Sequence, residues 1–353
     1  MLSVLPSAAS LIDRFLALRA REPALRARDA AAALGVEEAA LVACRCGEGV
    51  VRLDATHVGA LIEALPELGP VMALTRNDHA VHEKTGSYDK ISISGGVGLV
   101  LNEAIDLRLF LDHWRHVFVV AEATRSGRRR SLQVFDAAGT AIHKVYELLD
   151  ADPRPLDALT ARFIDRDQSR GFASAPLRSE APPLDDTGID IAGFRAAWDA
   201  LRDTHEFKVL LDRFGVSRTQ GLRLAGGERA RRVGTDALSR LLHIAAGDGL
   251  PIMVFVGNRG CIQIHTGPVA NIVVKGPWLN VLDPGFNLHC REDAIAEAWV
   301  VAKPTADGQV TSLELFDRLG QTIALLFGKR KPGAHEDSNW RRCLSALETR
   351  HDA

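Results

Sequence analysis

The chain has 353 residues, 46% hydrophobic and 25% charged, with a formal net charge of −2. That length admits two ordinary domains, each with its own core. The near-neutral balance argues against binding nucleic acid or a membrane surface by bulk charge. No apolar run reaches the roughly 18 residues of a spanning helix. Met1–Pro6 lacks the basic region and long apolar core of a secretion signal. Five cysteines are an odd count for a disulfide framework and fit a reducing cytoplasm. Cys44-x-Cys46 has no second Cys or His pair nearby, so free thiols are expected rather than zinc.

Residues 11–45 read as helices. Leu11, Ile12, Phe15, Leu16 and Leu18 form one apolar set, and Ala30–Leu34 ends at Gly35. A further helix opens at Glu37. The helix, Gly-Val, helix order suggests a helix-turn-helix, but Glu37, Glu38, Ala39, Ala40 and Leu41 offer nothing that reads base edges. A structural role is expected, and a DNA-binding regulator is a poor reading.

From Pro70 the texture changes to short strand-like runs at Val71–Leu74, Ile91–Ser94, Leu99–Leu101, Val117–Ala121, Ser131–Phe135 and Ala141–Tyr146. Separated by Gly, Asp and charged clusters, they predict an antiparallel meander. Gly95-Gly96-Val97-Gly98 lacks the third glycine and following helix of a phosphate loop and reads as a strand connection. Arg125–Arg130 reads as a solvated basic turn. His79-x-x-His82 lies in strand-like sequence, where residues three apart face opposite ways. His113-Trp114-Arg115-His116 has helical spacing, and the expectation there is a helix packing its Trp inward. Residues 169–189 hold three prolines and little periodicity, as a linker does.

After the linker the organisation starts again. With a displacement of 181 positions, Pro70 falls on Pro251, Asn77 on Asn258 and Thr85-Gly86 on Thr266-Gly267. Across 118–143 against 299–324, 11 of 26 positions are identical, where chance gives ~1–2 on average composition. The chain is an internal duplication. The expected fold class is α+β, with two repeats each placing helices before a large antiparallel sheet. The boundaries are 1–168 for the first repeat, 169–189 for the linker and 190–353 for the second.

Residues shared by the copies read as turns and core; unshared ionisable residues are the better candidates for a site. His205 falls beside Ala24 or Leu25, Arg108 beside His289, Lys303 beside Glu122 and Arg330 beside Leu149. His205 opens the stretch Asp203–Gly215, where Asp203 or Thr204 can cap a helix that Gly215 ends. Phe207, Leu210, Leu211 and Phe214 make its apolar stripe. Taken alone, His205 reads as a surface histidine in a helix cap. Each cation taken alone reads as a surface ion pair contributing at most ~1 kcal/mol.

Trp198–Phe207 followed by Arg218–Leu224 resembles the cytoplasmic haem-binding proteins of bacterial haem-uptake operons, the hemin-transport or hemin-degrading proteins. Ile105–Trp114, Leu74–Asn77 with His79–Glu83, Ala302–Thr305 and Leu326–Arg330 are similar to the same family, in order along nearly the whole chain. Lys329 departs from it, since glutamine is common there. The resemblance implies two centrally stacked sheets flanked by helices, and haem b (iron protoporphyrin IX) held with His205 as axial ligand. It assigns Lys303 and Arg330 to the propionates, Phe110 to the macrocycle and Arg108 to the distal side, where it would be catalytic if the protein is an enzyme. It leaves open a second, weaker haem site near His79 or His82. These residue types suit haem, because iron takes an imidazole, Asp203 or Glu206 can orient it, and propionates take cations. The implied role is to receive imported haem from an inner-membrane importer and pass it to a haem oxygenase. The alternative is an enzyme that opens the porphyrin ring with an external reductant. The chain shows no flavin or nicotinamide motif, which favours trafficking.

Overall fold

The structure is a computed structural model describing residues 8–23, 25–124, 127–176, 184–330 and 333–347. Arg125 and Ser126 of the basic turn and residues 177–183 of the expected linker lie outside the described residues. The chain divides into two compact units. Unit 1 comprises Met1–Arg76, Glu83–Arg178 and Asn258–Gln263; unit 2 comprises Asn77–His82, Ser179–Gly257 and Ile264–Ala353. The described strands make two nine-stranded antiparallel sheets, in line with the α+β expectation.

Unit 1 opens with α1 (Ala8–Arg21), α2 (Ala27–Leu34) and α3 (Glu38–Ala43). Gly35 ends α2 at φ 67°, and its N–H reaches back to Ala31 and Ala32, as a left-handed glycine cap does. Then come β1 (Val50–Leu53), α4 (Val58–Ala64), β2 (Val71–Arg76), β3 (Ala80–Gly86), β4 (Ile91–Ser94), β5 (Val97–Leu101), β6 (Asp106–Phe110), β7 (His116–Thr124), β8 (Gly127–Phe135), β9 (Ala141–Glu147) and α5 (Arg154–Phe163). Neighbouring strands run β1-β7-β8-β9-β2, and β4-β5-β6 forms a meander. Gly95 and Gly96 make the two-residue β4–β5 turn, both at positive φ, the geometry hairpins favour. Trp114 is buried as expected, but no helix carries it. A single turn ends at His113 and β7 starts at His116, because the run is too short and too β-branched beyond His116 to continue one.

Packing occupies α3, the helix that a DNA reader would need. Glu38 in its first turn is buried, and its carboxylate takes Lys144 Nζ at 2.6 Å and the Arg76 guanidinium. Burial alone would raise its pKa; the two cations hold it below the usual range.

Unit 2 repeats the plan. It contains α6 (Ile191–Asp199), α7 (Glu206–Phe214), α8 (Arg218–Ala225), β10 (Ala230–Val233), α9 (Ala237–Gly247), β11 (Ile252–Gly257), β12 (Cys261–Gly267), β13 (Ile272–Lys275), β14 (Trp278–Asp283), β15 (Phe286–Arg291), β16 (Glu297–Thr305), β17 (Gly308–Phe316), β18 (Thr322–Gly328) and α10 (Ser338–Ser345). Two of these strands are divided: Cys261–Gln263 of β12 counts with unit 1, and Ala80–His82 of β3 with unit 2. Neighbours run β10-β16-β17-β18-β11, with the meander β13-β14-β15. All five cysteines are free and buried.

The two cores differ at one layer. In unit 1 the Thr75 hydroxyl lies 2.8 Å from His143 Nδ1 and 3.3 Å from Cys261 Sγ, and the Tyr88 hydroxyl lies 2.6 Å from His143 Nε2. At the corresponding places, 181 positions away, unit 2 has Val256, Ala324, Ala80 and Val269, all buried hydrocarbon. Burial pushes the His143 pKa down to about 3, so the ring is neutral and both its nitrogens are occupied.

The folded pKa lies below the ordinary 6.5. As pH falls, the unfolded chain binds this proton first, so stability is lost from about pH 6.5 down to about pH 3. His143→Gln, which keeps amide partners for Thr75 and Tyr88 but does not titrate, should show a smaller drop in urea midpoint between pH 7 and pH 5 than wild type. Equal drops would assign the titration elsewhere.

Candidate functional site

His205 sits at the N-cap of α7. The expected cap residue is displaced by one step: Asp203 Oδ1 accepts the backbone N–H of His205 at 2.8 Å rather than one inside the helix. The same oxygen lies 2.6 Å from His205 Nδ1. The His205 backbone hydrogen bond, with smaller help from its ring and from Arg330, holds the Asp203 carboxyl below its usual range. An ionised carboxylate only accepts, so Nδ1 donates, and in the neutral ring the lone pair is on Nε2. The imidazole is 89% exposed. This is the state an axial iron ligand needs. Glu206 is used differently, accepting the N–H groups of Arg202 (2.9 Å) and Asp203 (3.3 Å).

Below the histidine, α7 is fixed by its stripe. Phe207, Leu210 and Leu211 are buried, each contributing about 1.5–3 kcal/mol of burial. Gly215 closes the helix at φ 64°, and Ser217 with Gln220 forms a full capping box at the start of α8. The Phe207 ring meets Trp198 at 4.8 Å, edge to face. The Arg218 guanidinium lies 5.1 Å and Lys303 Nζ 4.4 Å from its centroid.

Lys303 is buried, and its Nζ donates to Glu314 Oε1 at 2.6 Å. Glu314 also takes Arg218 through both oxygens, at 2.7 and 3.0 Å. Burial moves Lys303 down to about 8 against the pull of Glu314. Burial would raise Glu314, but Arg218 and Lys303 together hold it far below the carboxylate range. Of the two cations assigned to propionates, Lys303 is thus committed to a carboxylate inside unit 2. Arg330, two residues past β18, is partly exposed and close enough for its charge to act on Asp203.

Arg108 and Phe110 lie on β6 in unit 1. Leu107 and Leu109 point into the core, while Asp106, Arg108 and Phe110 share the outer, partly exposed face. Across the ladder Arg108 stands opposite Leu99, and Phe110 opposite Val97. The Arg108 guanidinium bonds Asp106 and, at 3.2 Å, the Leu107 carbonyl. The result is an apolar strip, Val97, Leu99, Leu101 and Phe110, carrying one cation. His79 and His82 enter different surroundings. His79 Nε2 lies 3.3 Å from Asp317, whereas His82 is fully buried with its ring 5.0 Å from that of Phe286. Among the described residues no group of three or more His, Cys, Asp and Glu could hold a bare metal ion.

Sequence reasoning missed Glu314 and Arg218. The one available signal was that Glu314 falls on Gln133 in the duplication while Lys303 falls on Glu122: both members of a buried pair changed between copies.

Among known proteins, the family described as "Haemin-degrading HemS.ChuX domain" matches residues 35–163 and again 215–347. The "Hemin transport protein HmuS" of Yersinia pestis is 42% identical over 343 residues, covering 96% of this chain and 97% of that protein. The structure of holo-PhuS, a haem-binding protein from Pseudomonas aeruginosa, is 50% identical with a TM-score of 0.95, covering 98% of this chain and 100% of that one. That of ChuS, a haem-degrading enzyme from Escherichia coli O157:H7, is 39% identical with a TM-score of 0.89, covering 97% and 99%.

The buried cluster can be tested without any ligand. Glu314→Leu leaves Lys303 and Arg218 without their carboxylate, which should cost about 3–5 kcal/mol in urea unfolding. Lys303→Met leaves Glu314 with its two Arg218 bonds, and the cost should be clearly smaller. The reverse order would place the weight of the cluster on Lys303.

Proposed function

Because this chain belongs to the haemin-degrading HemS.ChuX domain family, matched in both repeats, we propose that it is a cytoplasmic haem-binding protein that accepts imported iron protoporphyrin IX on His205 and passes it on. The observation that carries this reading is the exposed imidazole whose Nδ1 is tied to Asp203. Haem supplies an iron that takes this nitrogen and two carboxylates that take cations. Asp203 fixes the tautomer and keeps the ring from turning. Arg330, whose charge reaches Asp203, is the cation for a propionate. Lys303 would have to leave Glu314 to join it, so we assign Lys303 to holding the floor under α7. Arg108 and Phe110 are assigned to the ligand by the resemblance; the apolar strip around them is a surface that accepts a porphyrin face. An exposed ligand suits a carrier, since an acceptor can reach the haem without the fold opening.

Degradation is the second reading. It is favoured by the relative described as a haem-degrading enzyme and by Arg108, the one cation on the β6 strip, which could stabilise developing negative charge. Transfer to a haem oxygenase, rather than turnover, is our preferred role.

His205→Ala should weaken haem binding far beyond the roughly 10–100-fold expected for Asp203→Ala, and should change the Soret band. Unchanged affinity and spectrum would remove His205 from the site. Arg108→Ala should keep most binding. With an electron donor and catalase present, wild type should turn over negligibly yet deliver haem to a haem oxygenase. Robust catalase-resistant ring opening that Arg108→Ala lowers on the order of 100-fold would establish the enzyme reading instead.

A further inference from the structure

The turn that carries His205 is held from two sides. On one side the Ala306 N–H, between β16 and β17, donates to the Arg202 carbonyl at 2.8 Å, and the preceding Leu201 is buried. On the other, Glu206 at the first position of α7 folds its side chain back over the turn. Its Oε2 accepts the N–H of Arg202 at 2.9 Å and that of Asp203 at 3.3 Å. Asp203 reciprocates: its Oδ1 accepts the His205 N–H at 2.8 Å, and its carbonyl accepts the Glu206 N–H at 3.2 Å. Asp203-Thr204-His205-Glu206 is thus a variant of the capping box, a short acceptor followed three residues later by a glutamate that reaches back. It is set just ahead of α7.

One atom of this box has two uses. Asp203 Oδ1, which takes the His205 N–H, also lies 2.6 Å from His205 Nδ1. Both contacts require the carboxylate at one place relative to the backbone of the turn. Both side chains are exposed, the imidazole 89% and the carboxylate 60%. Water and side-chain freedom loosen exposed pairs of this kind, so the geometry has to come from the backbone that Glu206 ties down. The pattern is absent from the first repeat's sequence, where Asp203 falls beside Glu22 or Pro23 and Glu206 beside Leu25 or Arg26. The candidate ligand and its box are therefore unshared together.

We propose that Glu206 is a positioning residue for the nitrogen that binds iron. By fixing the Arg202–Asp203 backbone it keeps the Asp203 carboxylate on the Nδ1–H of His205, which leaves Nε2 as the lone-pair nitrogen. An imidazole without a fixed partner passes its proton between its two nitrogens, and only one of the two forms offers Nε2 to a metal. What the position demands is reach and an acceptor oxygen, not charge. Glutamine supplies both, whereas aspartate keeps the charge and is a methylene short. The purpose assigned to this geometry rests on the haem reading of His205; the geometry itself does not.

The readout is the His205 tautomer in the full chain without haem, from long-range proton–nitrogen correlation spectra at about pH 9, above the ordinary imidazole range. His205→Gln identifies the signals. Wild type should show the Nδ1–H form. Glu206→Gln should keep it, whereas Glu206→Asp, Glu206→Ala and Asp203→Ala should give nitrogen shifts averaged between the two forms. Adding Glu206→Ala to Asp203→Ala should change nothing further. Gly215→Ala strains the other end of α7, where φ is 64°, and should leave the tautomer as in wild type, which separates positioning from loss of helix stability. With haem, Glu206→Ala should speed release about tenfold, no more than Asp203→Ala does, and Glu206→Gln should restore slow release. A wild-type ring averaged between forms would overturn the proposal. So would a tautomer unmoved by Glu206→Ala, or one kept by Glu206→Asp and lost in Glu206→Gln. If the spectra come out as expected while His205→Ala leaves haem affinity unchanged, the haem reading falls and the positioning of the ring stands.

Discussion

A carboxylate cut off from water has to be neutralised where it stands. Glu314 on β17 meets that demand with Arg218 from α8 and Lys303 from β16, and both cations also face the Phe207 ring. The cluster therefore fixes the register of the helices on the sheet at the point where α7 begins. Apolar contacts tolerate small slips, whereas a bidentate guanidinium does not. Unit 1 solves the same problem with the charges exchanged. There the acid, Glu38, is on the helix and its cations, Lys144 and Arg76, come from the sheet. Since hydrocarbon at such sites is often as stable, what these clusters contribute is a unique seating of helix on sheet.

Much of the fold was legible from the chain. Alternation and turn residues marked six of the strands, and the displacement of 181 tied the two repeats together. Strands that escaped notice, β1 and β6 among them, are only four and five residues long, too short for alternation to stand out. Trp114 was placed correctly in the core but on the wrong backbone, because i, i+3 spacing also occurs where a single turn runs into a strand. The candidate site was readable in its parts but not in its couplings. His205 and Asp203 are two residues apart, so their contact was open to sequence reasoning. The pairing of Lys303 with Glu314 spans β16 and β17, and depends on a register that local pattern does not encode.

The paired cores show how far one backbone can diverge in chemistry. At the layer of His143, Thr75, Tyr88 and Cys261, unit 1 closes a hydrogen-bonded chain, while unit 2 fills the same layer with alanine and valine. Either is stable because each is complete. A half-converted layer would leave a buried donor or acceptor unsatisfied, at roughly 1–3 kcal/mol apiece. Such layers are therefore expected to change together, as all four positions have done here.

The membership of Asn258–Gln263 in unit 1 bears on events at the ribosome. Gly260 receives the Trp114 indole N–H, Asn258 bonds the carbonyls of Arg76 and Ile142, and Cys261 lies within the unit 1 core. None of these exists when Arg178 has been polymerised. At about 5–20 residues per second, synthesis needs several more seconds before the first repeat possesses all its own parts. During that interval the nascent first repeat exposes the places where these groups belong, and the order of translation and the order of folding cannot coincide.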